Sequence, residues 1–273
     1  MDTVVVDGEV RPWASLRLQD FLHAFSFGAG FFETFLVSEG APLFLARHLA
    51  RLGGSLAAHA DCVQAPPAEL LAVPAVWAAL RRGLEADDQL GPRFTGVGKL
   101  VAGDGHLLLS FRPLPGGHDA LLREGRVLDT LEERVYRRGD PTLRHKSVSY
   151  LRQYAHLTRG VVFANEAGEL CEAPNGNLFF LLDGAWVTPP VDAPCLPGIV
   201  RAVLLEAGRL GEAPLVEGPV PRERWEDVRG CVLTNSVGLA IAIPRLLGRE
   251  LPESHAAAER ARALVWARAR HEG

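Results

Sequence analysis

The chain has 273 residues, 48% hydrophobic and 23% charged, with a formal net charge of -4, which describes one large or two modest globular domains and excludes a disordered chain. No basic footprint is present, so nucleic acid and anionic membrane are excluded as first partners. The start MDTVVVDGEV has acids where a leader carries bases, the longest apolar run (residues 70–80) is broken by Pro74, and the four cysteines form no CxxC, so a reduced cytoplasm is expected.

In chain order, VVVDGEV (residues 4–10) sets β-branched residues around Asp-Gly and predicts strand-turn-strand. FFETFLVSEGAPLFL (residues 31–45) repeats that pattern, with Ser-Glu-Gly-Ala-Pro as the turn. Leu49, Leu52 and Leu56 then recur at helical spacing within residues 46–60, and residues 68–84 are expected to be helical despite Pro74. Residues 99–111 form two strands around Gly103-Asp104-Gly105. PLPGGH (residues 113–118) clusters turn formers without apolar periodicity and is taken as a linker. The expected domains are therefore 1–112 and 119–273, joined by 113–118.

Beyond the linker, residues 125–137 predict a strand leading into exposed structure, residues 147–159 a helix and residues 160–164 a strand. Residues 179–182 and 185–188 pair as a hairpin around Asp183-Gly184. A helix over 198–210 follows Pro197-Gly198, then a strand over 230–234 and an Ala/Arg-rich helix over 256–270. Strands and helices mix without strict βαβ alternation, so the class is α+β, or mixed α/β.

Gly96-Val97-Gly98-Lys99 lacks the spacing of a phosphate loop and is expected to be a glycine-rich strand edge. There is no HExxH, no GxSxG and no Cys/His ligand spacing, so no metal is expected. The nine histidines are dispersed, and most are expected to be surface or helix-cap residues.

Lys and Arg together number 29, yet only Lys99 and Lys146 are lysines. Arginine cannot replace lysine where chemistry needs a deprotonatable amine, so a catalytic lysine has two candidates. Lys146 follows the turn-prone Gly139-Asp140-Pro141 and is expected to open a helix, projecting into a cleft. Glu172 stands beside a turn at the mouth of the apolar run LFFLL, where a buried carboxylate needs a cationic partner. LPGIVR (residues 196–201) starts a helix whose free N–H groups suit a phosphate, and Thr234-Asn235-Ser236 closes a strand with three small polar side chains. Taken singly these are a surface lysine, a solvated acid and ordinary caps. Together they are the parts that pyridoxal 5′-phosphate (PLP) requires: an amine, an acid for the pyridine nitrogen and a phosphate anchor.

At this point the sequence resembles the class IV aminotransferases, the fold type IV PLP enzymes, over nearly its whole length. FGAGFFETFLVSEGAPLFLARHLARL (residues 27–52) is similar to the family's N-terminal hairpin and helix. Asn177-Leu178-Phe179, Thr188-Pro189-Pro190 and LPGIVR continue the pattern in order. The resemblance implies a two-domain fold, like that of D-amino-acid aminotransferase, with PLP in the cleft between the domains, and a homodimer. It also implies that Lys146 is the Schiff-base lysine, Glu172 the acid at the pyridine nitrogen and Arg51 a phosphate ligand. Asn177, the backbone of Ile199 and Val200, and Asn235 and Ser236 complete the expected cofactor site. Phe32, Thr34, Arg93, Lys99 and Tyr150 form the expected substrate pocket, with Ala102 standing where many members carry an arginine for the substrate carboxylate. Thr234-Asn235-Ser236 and FGAGFFET are similar to stretches of the 4-amino-4-deoxychorismate lyases. The expected activity is therefore release of pyruvate to give 4-aminobenzoate, a folate precursor, from a small-molecule amine. The alternatives are a D-amino-acid or branched-chain aminotransferase and a non-catalytic PLP-fold binding protein.

Overall fold

Two-residue turns ending in glycine set much of the architecture. Asp7-Gly8, Glu39-Gly40, Asp104-Gly105, Asp183-Gly184 and Leu247-Gly248 all have positive φ at both residues, the mirror-image turn that matches the twist of paired strands. The computed structural model describes residues 2–272, and for residues 133–136 the backbone alone. It divides into two compact units.

The first unit holds residues 2–115 together with His145–Tyr150. Its elements are β1 (Thr3–Val6), β2 (Glu9–Pro12), α1 (Leu22–Phe27), β3 (Phe31–Ser38), β4 (Ala41–Pro42), α2 (Leu45–Ala58), α3 (Val73–Ala86), β5 (Gly96–Gly103) and β6 (His106–Pro113). The six strands form one sheet in the order β2-β1-β6-β5-β3-β4. Leu45, Leu49, Leu52 and Leu56 recur along one face of α2 and pack with Phe31, Phe35 and Val37 of β3. Each such fully buried leucine contributes about 2 kcal/mol.

Three expectations change here. Residues 68–84 do not form one helix: a short 3-10 turn ends at Leu71, and Pro74 lies in the first turn of α3. Proline lacks the N–H that a helix interior needs but suits its first turn, so it starts a helix here instead of weakening one. Gly96 to Lys99 lies in β5, which runs in the sheet interior between β6 and β3, so it is not an edge. The expected linker contracts, because β6 continues to Pro113 and the next helix opens at His118.

The second unit comprises Gly116–Arg144 and Leu151–Glu272. It contains α4 (His118–Glu124), β7 (Thr130–Tyr136), α5 (Leu151–Tyr154), β8 (Val161–Asn165), β9 (Glu172–Ala173), β10 (Gly176–Leu182) and β11 (Ala185–Thr188). There follow α6 (Ile199–Ala207), β12 (Arg209–Leu210), β13 (Ala213–Glu217), β14 (Gly230–Asn235), β15 (Leu239–Ala242), β16 (Arg245–Leu246), β17 (Arg249–Glu250) and α7 (Ser254–Glu272). The main sheet has the order β12-β13-β11-β10-β14-β15, and β9 also pairs with β10. The run LFFLL is buried on both faces of β10, next to β14 in the middle of that sheet. The α+β mixture expected from the sequence is the one observed.

The helix expected over 147–159 is reduced to the four residues of α5. Ser147 instead bridges to Phe31, the Phe32 N–H donates to the Lys146 carbonyl at 2.8 Å, and the Val148 N–H donates to the Gly30 carbonyl at 3.0 Å. Pairing with β3 takes the backbone groups that a helix would need. Lys146 therefore rides on an extended segment, not on a helix start. Among the described residues no helix is long and apolar enough to cross a membrane.

Gly98 tests the packing of the first sheet. A Cβ there would stand 2.3 Å from Cε2 of the fully buried Phe35, so Gly98→Ala should cost about 1–3 kcal/mol through overpacking. The expected result is a lower urea midpoint with an unchanged m-value.

Candidate active site

In the first unit, the alternation of β3 sends Phe32 and Thr34 to one face and Phe31, Glu33 and Phe35 to the other. Lys99 is the cross-strand partner of Thr34. Its amine lies 4.7 Å from the centroid of the Phe32 ring, and the Lys146 amine lies at the same distance from that ring. The Tyr150 ring meets Phe32 edge-on with centroids 5.3 Å apart, and its own centroid is 5.2 Å from the Lys146 amine. Both lysines of the chain thus share one aromatic surface, which attracts a cation but supplies no counter-charge. Burial, followed by the charge of Arg112, pushes the Lys99 amine below its ordinary range. Phe32, Thr34, Lys99, Tyr150 and Lys146 form one group.

Arg93 does not join that group. Its side chain is 85% exposed and pairs with Glu39 beyond the far end of β3. Since Glu39 is seven residues from Phe32 and a strand rises about 3.3 Å per residue, this correction removes Arg93 from the expected pocket.

On the opposite face of β3, Glu33 is 1% exposed. The Nε of Arg51 donates to one Glu33 oxygen at 2.7 Å and Nη2 to the other at 2.6 Å. The His48 ring donates from Nδ1 to the Glu33 Oε2 at 2.6 Å, while its Nε2 is buried without a hydrogen-bond partner among the described residues. Burial pushes the Glu33 carboxyl up, but the charge and hydrogen bonds of Arg51, then those of His48, outweigh it and hold it near about 2. Burial also pushes His48 down, against the pull of Glu33. His48 is thus an exception to the surface and cap roles expected of most histidines.

Next to Lys146, His145 is tied to α2. The Ser55 hydroxyl donates to the Arg51 carbonyl at 3.0 Å and so accepts from His145 Nδ1 at 2.9 Å. The His59 ring stands edge-on to His145 with centroids 4.5 Å apart.

In the second unit, Glu172 of β9 faces Asn177 of β10, which faces Thr234 of β14, so the three lie in one row across the strands. Glu172 is 7% exposed, and its Oε2 accepts the Leu196 N–H at 3.1 Å. Asn177 Nδ2 donates to the Leu196 carbonyl at 2.8 Å. Both side chains therefore grip the turn that precedes α6. Gly198 belongs there because a Cβ would lie 2.0 Å from the Asn177 Oδ1. No side chain caps α6 at Gly198, and the Ala202 N–H makes its bond back to the Gly198 carbonyl. The N–H groups of Ile199 and Val200 precede that ladder, the kind of helix start that suits an anion. Asn235 Oδ1 accepts from the Val237 and Gly238 N–H groups and shapes the turn that also contains Ser236.

Each unit by itself holds groups of the kind PLP needs: an amine on an aromatic surface and an anchored arginine in the first, a sheltered carboxylate and a helix start without a side-chain cap in the second. Glu33 and His48 were missed from the sequence. The available signal was an acid inside the apolar run FFETFLV, with a histidine and an arginine three residues apart on the next helix. That spacing puts both on one helical face.

The family model described as Amino-transferase class IV matches residues 30–246. No curated protein matches the chain. Among solved structures, a hypothetical aminotransferase from Mycobacterium tuberculosis, in its apo form, is 26% identical over 97% of this chain and 99% of its own, with a TM-score of 0.79. A PLP-bound form with the same description is 24% identical over the same shares, with a TM-score of 0.80. A fold IV-transaminase from Curtobacterium pusillum is 23% identical over 99% of each chain, with a TM-score of 0.80. A candidate 4-amino-4-deoxychorismate lyase from Legionella pneumophila is 22% identical over 89% of this chain and 92% of its own, with a TM-score of 0.72. The fold type IV architecture expected from the sequence is the architecture of these relatives.

The buried trio makes stability depend on pH. The folded-state pKa values of Glu33 and His48 are both depressed, so the stability each contributes is present at neutral pH and is lost on acidification. For His48 the loss begins below about 6.5, and for Glu33 it runs from about 4.5 down to about 2. Urea titrations across pH should show the acid-side decline below pH 4.5 reduced in Glu33→Gln by up to about 3 kcal/mol. An identical slope in both proteins would contradict the charge state assigned to Glu33.

Proposed function

The chain belongs to the class IV aminotransferase family, and on that premise we propose that it is a 4-amino-4-deoxychorismate lyase, releasing pyruvate and leaving 4-aminobenzoate. It is an enzyme of a PLP-dependent family, and PLP is its cofactor. The observation that carries the narrower reading is the pair of lysines on the Phe32 ring. Ala102, buried on β5, stands where many members carry the arginine for an amino-acid carboxylate. Lys99 is instead the cation beside the amine-handling lysine, which suits an amine substrate that bears carboxylates of its own.

When bound, PLP supplies an electron sink for the pair left when a C–H bond breaks at the amine-bearing carbon. Lys146 would carry the cofactor, and its amine would accept the proton from that carbon. Glu172 holds a proton on the pyridine nitrogen, with its carboxylate oriented by the Leu196 N–H. Arg51 and the N–H groups of Ile199 and Val200 would hold the phosphate together with Asn235 and Ser236, and Asn177 would serve the cofactor site through its hold on the turn before α6. Lys99, Phe32, Thr34 and Tyr150 receive the substrate. Departure of pyruvate makes the six-membered ring aromatic.

Transamination of a D- or branched-chain amino acid is the second reading, favoured by the likeness to the Curtobacterium pusillum transaminase. It differs in passing the amine to a 2-oxo acid. Retention of both Lys146 and Glu172 speaks against a non-catalytic binding protein. A homodimer is part of the proposal, supported by the exposed Phe25 and Phe27 of α1 and α1's neighbour Leu18.

Incubation with 4-amino-4-deoxychorismate should give 4-aminobenzoate and pyruvate in equal amounts, beside inactive D- and L-amino acids with 2-oxoglutarate. Amino-group transfer without 4-aminobenzoate would establish the second reading instead. Borohydride reduction and peptide mapping should place the pyridoxyl group on Lys146, and a label on Lys99 would refute the assignment. Glu172→Gln keeps size but removes the charge that holds the ring proton. A loss of about 3 kcal/mol in transition-state stabilisation slows turnover roughly a hundredfold at undiminished cofactor occupancy. Near-normal turnover would make Glu172 a structural acid only.

A further inference from the structure

Arginine is a long side chain with several rotatable bonds, and an anion site built on it depends on what holds it still. Here the hold is buried and two-pronged. Glu33 takes Nε and Nη2 of Arg51 at 2.7 and 2.6 Å, the planar fork-to-fork geometry that sets both the position and the plane of a guanidinium. Glu33 is itself fixed by His48 at 2.6 Å, and His48 packs on the Phe35 ring with centroids 5.6 Å apart. Neither Glu33 nor His48 has a place in the chemistry set out above.

We propose that Glu33 is the positioning residue of the cofactor site: it holds the Arg51 guanidinium in the orientation that receives the PLP phosphate, and His48 orients Glu33. The inference rests on the reading of Arg51 as a phosphate ligand. A carboxylate next to a phosphate site would ordinarily oppose anion binding. In this arrangement Glu33 forms two hydrogen bonds to the guanidinium and so fixes its position and plane, and the order gained outweighs the repulsion. Replacing the acid should then weaken anion binding, the reverse of what removal of a nearby negative charge does by simple electrostatics.

The full chain, freed of cofactor, is titrated with PLP and separately with pyridoxal, which lacks the phosphate, while its melting temperature is followed. Glu33→Gln should weaken PLP binding about tenfold or more and leave pyridoxal binding unchanged. Arg51→Ala should weaken PLP binding at least as much, and the double variant should be no weaker than Arg51→Ala, because the two residues act as one unit. Unchanged PLP affinity in Arg51→Ala would overturn the phosphate reading itself. If Arg51→Ala is weakened but Glu33→Gln is unchanged or tighter, or if Glu33→Gln loses PLP and pyridoxal equally, this inference alone is overturned. Should Glu33→Gln fail to fold, Glu33→Asp keeps the buried charge but draws the guanidinium back. The same phosphate-selective loss is expected there, and unchanged PLP affinity would overturn the proposal.

Discussion

The hydrogen bond from the Phe32 N–H to the Lys146 carbonyl is the constraint on which the gathering of both lysines at the Phe32 ring depends. With the Val148 N–H bonded to the Gly30 carbonyl, it adds residues 146–148 to β3 as a short antiparallel partner. Backbone pairing, not side-chain attraction, thereby places the lysine amine over the Phe32 ring. An extended segment also presents alternate residues to opposite faces. Lys146 shares the face of Phe32, while Ser147 pairs with Phe31. Slipping this pairing by one residue would send the lysine to the face where Glu33 and α2 pack.

The charged groups of the two units solve different problems. Glu33 lies where an uncompensated carboxylate would be costly, and two fork bonds from Arg51 plus one from His48 keep it ionised. Glu172 is sheltered too, but its Oε2 partner is a backbone N–H. Together with Asn177 it holds Leu196 by both its N–H and its carbonyl, and so fixes the chain just before α6 begins. Gly198 lets Asn177 approach that closely. The result is a helix start whose N–H groups are aimed by two side chains and capped by none.

Much of this was legible in the sequence where the cause is local. Asp-Gly turns, leucine spacing in α2 and the Pro-Gly start of α6 are decided within a few residues, and they fall where expected. Lys146 and Glu172 stood out through residue type: a scarce lysine, and an acid against a buried strand. The remainder depends on partners distant in sequence. No local pattern shows that residues 146–148 will pair with β3, so a helix was expected where only α5 forms. Strand β15, LAIA, has no alternation because all four residues are buried, so its sequence carries no strand signal. Arg93 is a pocket candidate by charge alone, and charge does not say that Glu39 will meet it on the surface. The Glu33–Arg51 fork needed a strand and the following helix to be seen together.

The return of His145–Tyr150 to the first unit also governs when that unit is complete. On a ribosome the sheet from β1 to β6 emerges first, yet its lysine arrives only after residues 116–144 have been made. Until then the Phe32 N–H lacks its native acceptor, and the edge of β3 near Phe31 stays open to pairing with another chain. The nascent first unit is thus a sheet waiting for a short strand from further along its own chain. A fragment ending at residue 115 would remain at that stage permanently, without the segment that pairs with β3 near Phe31.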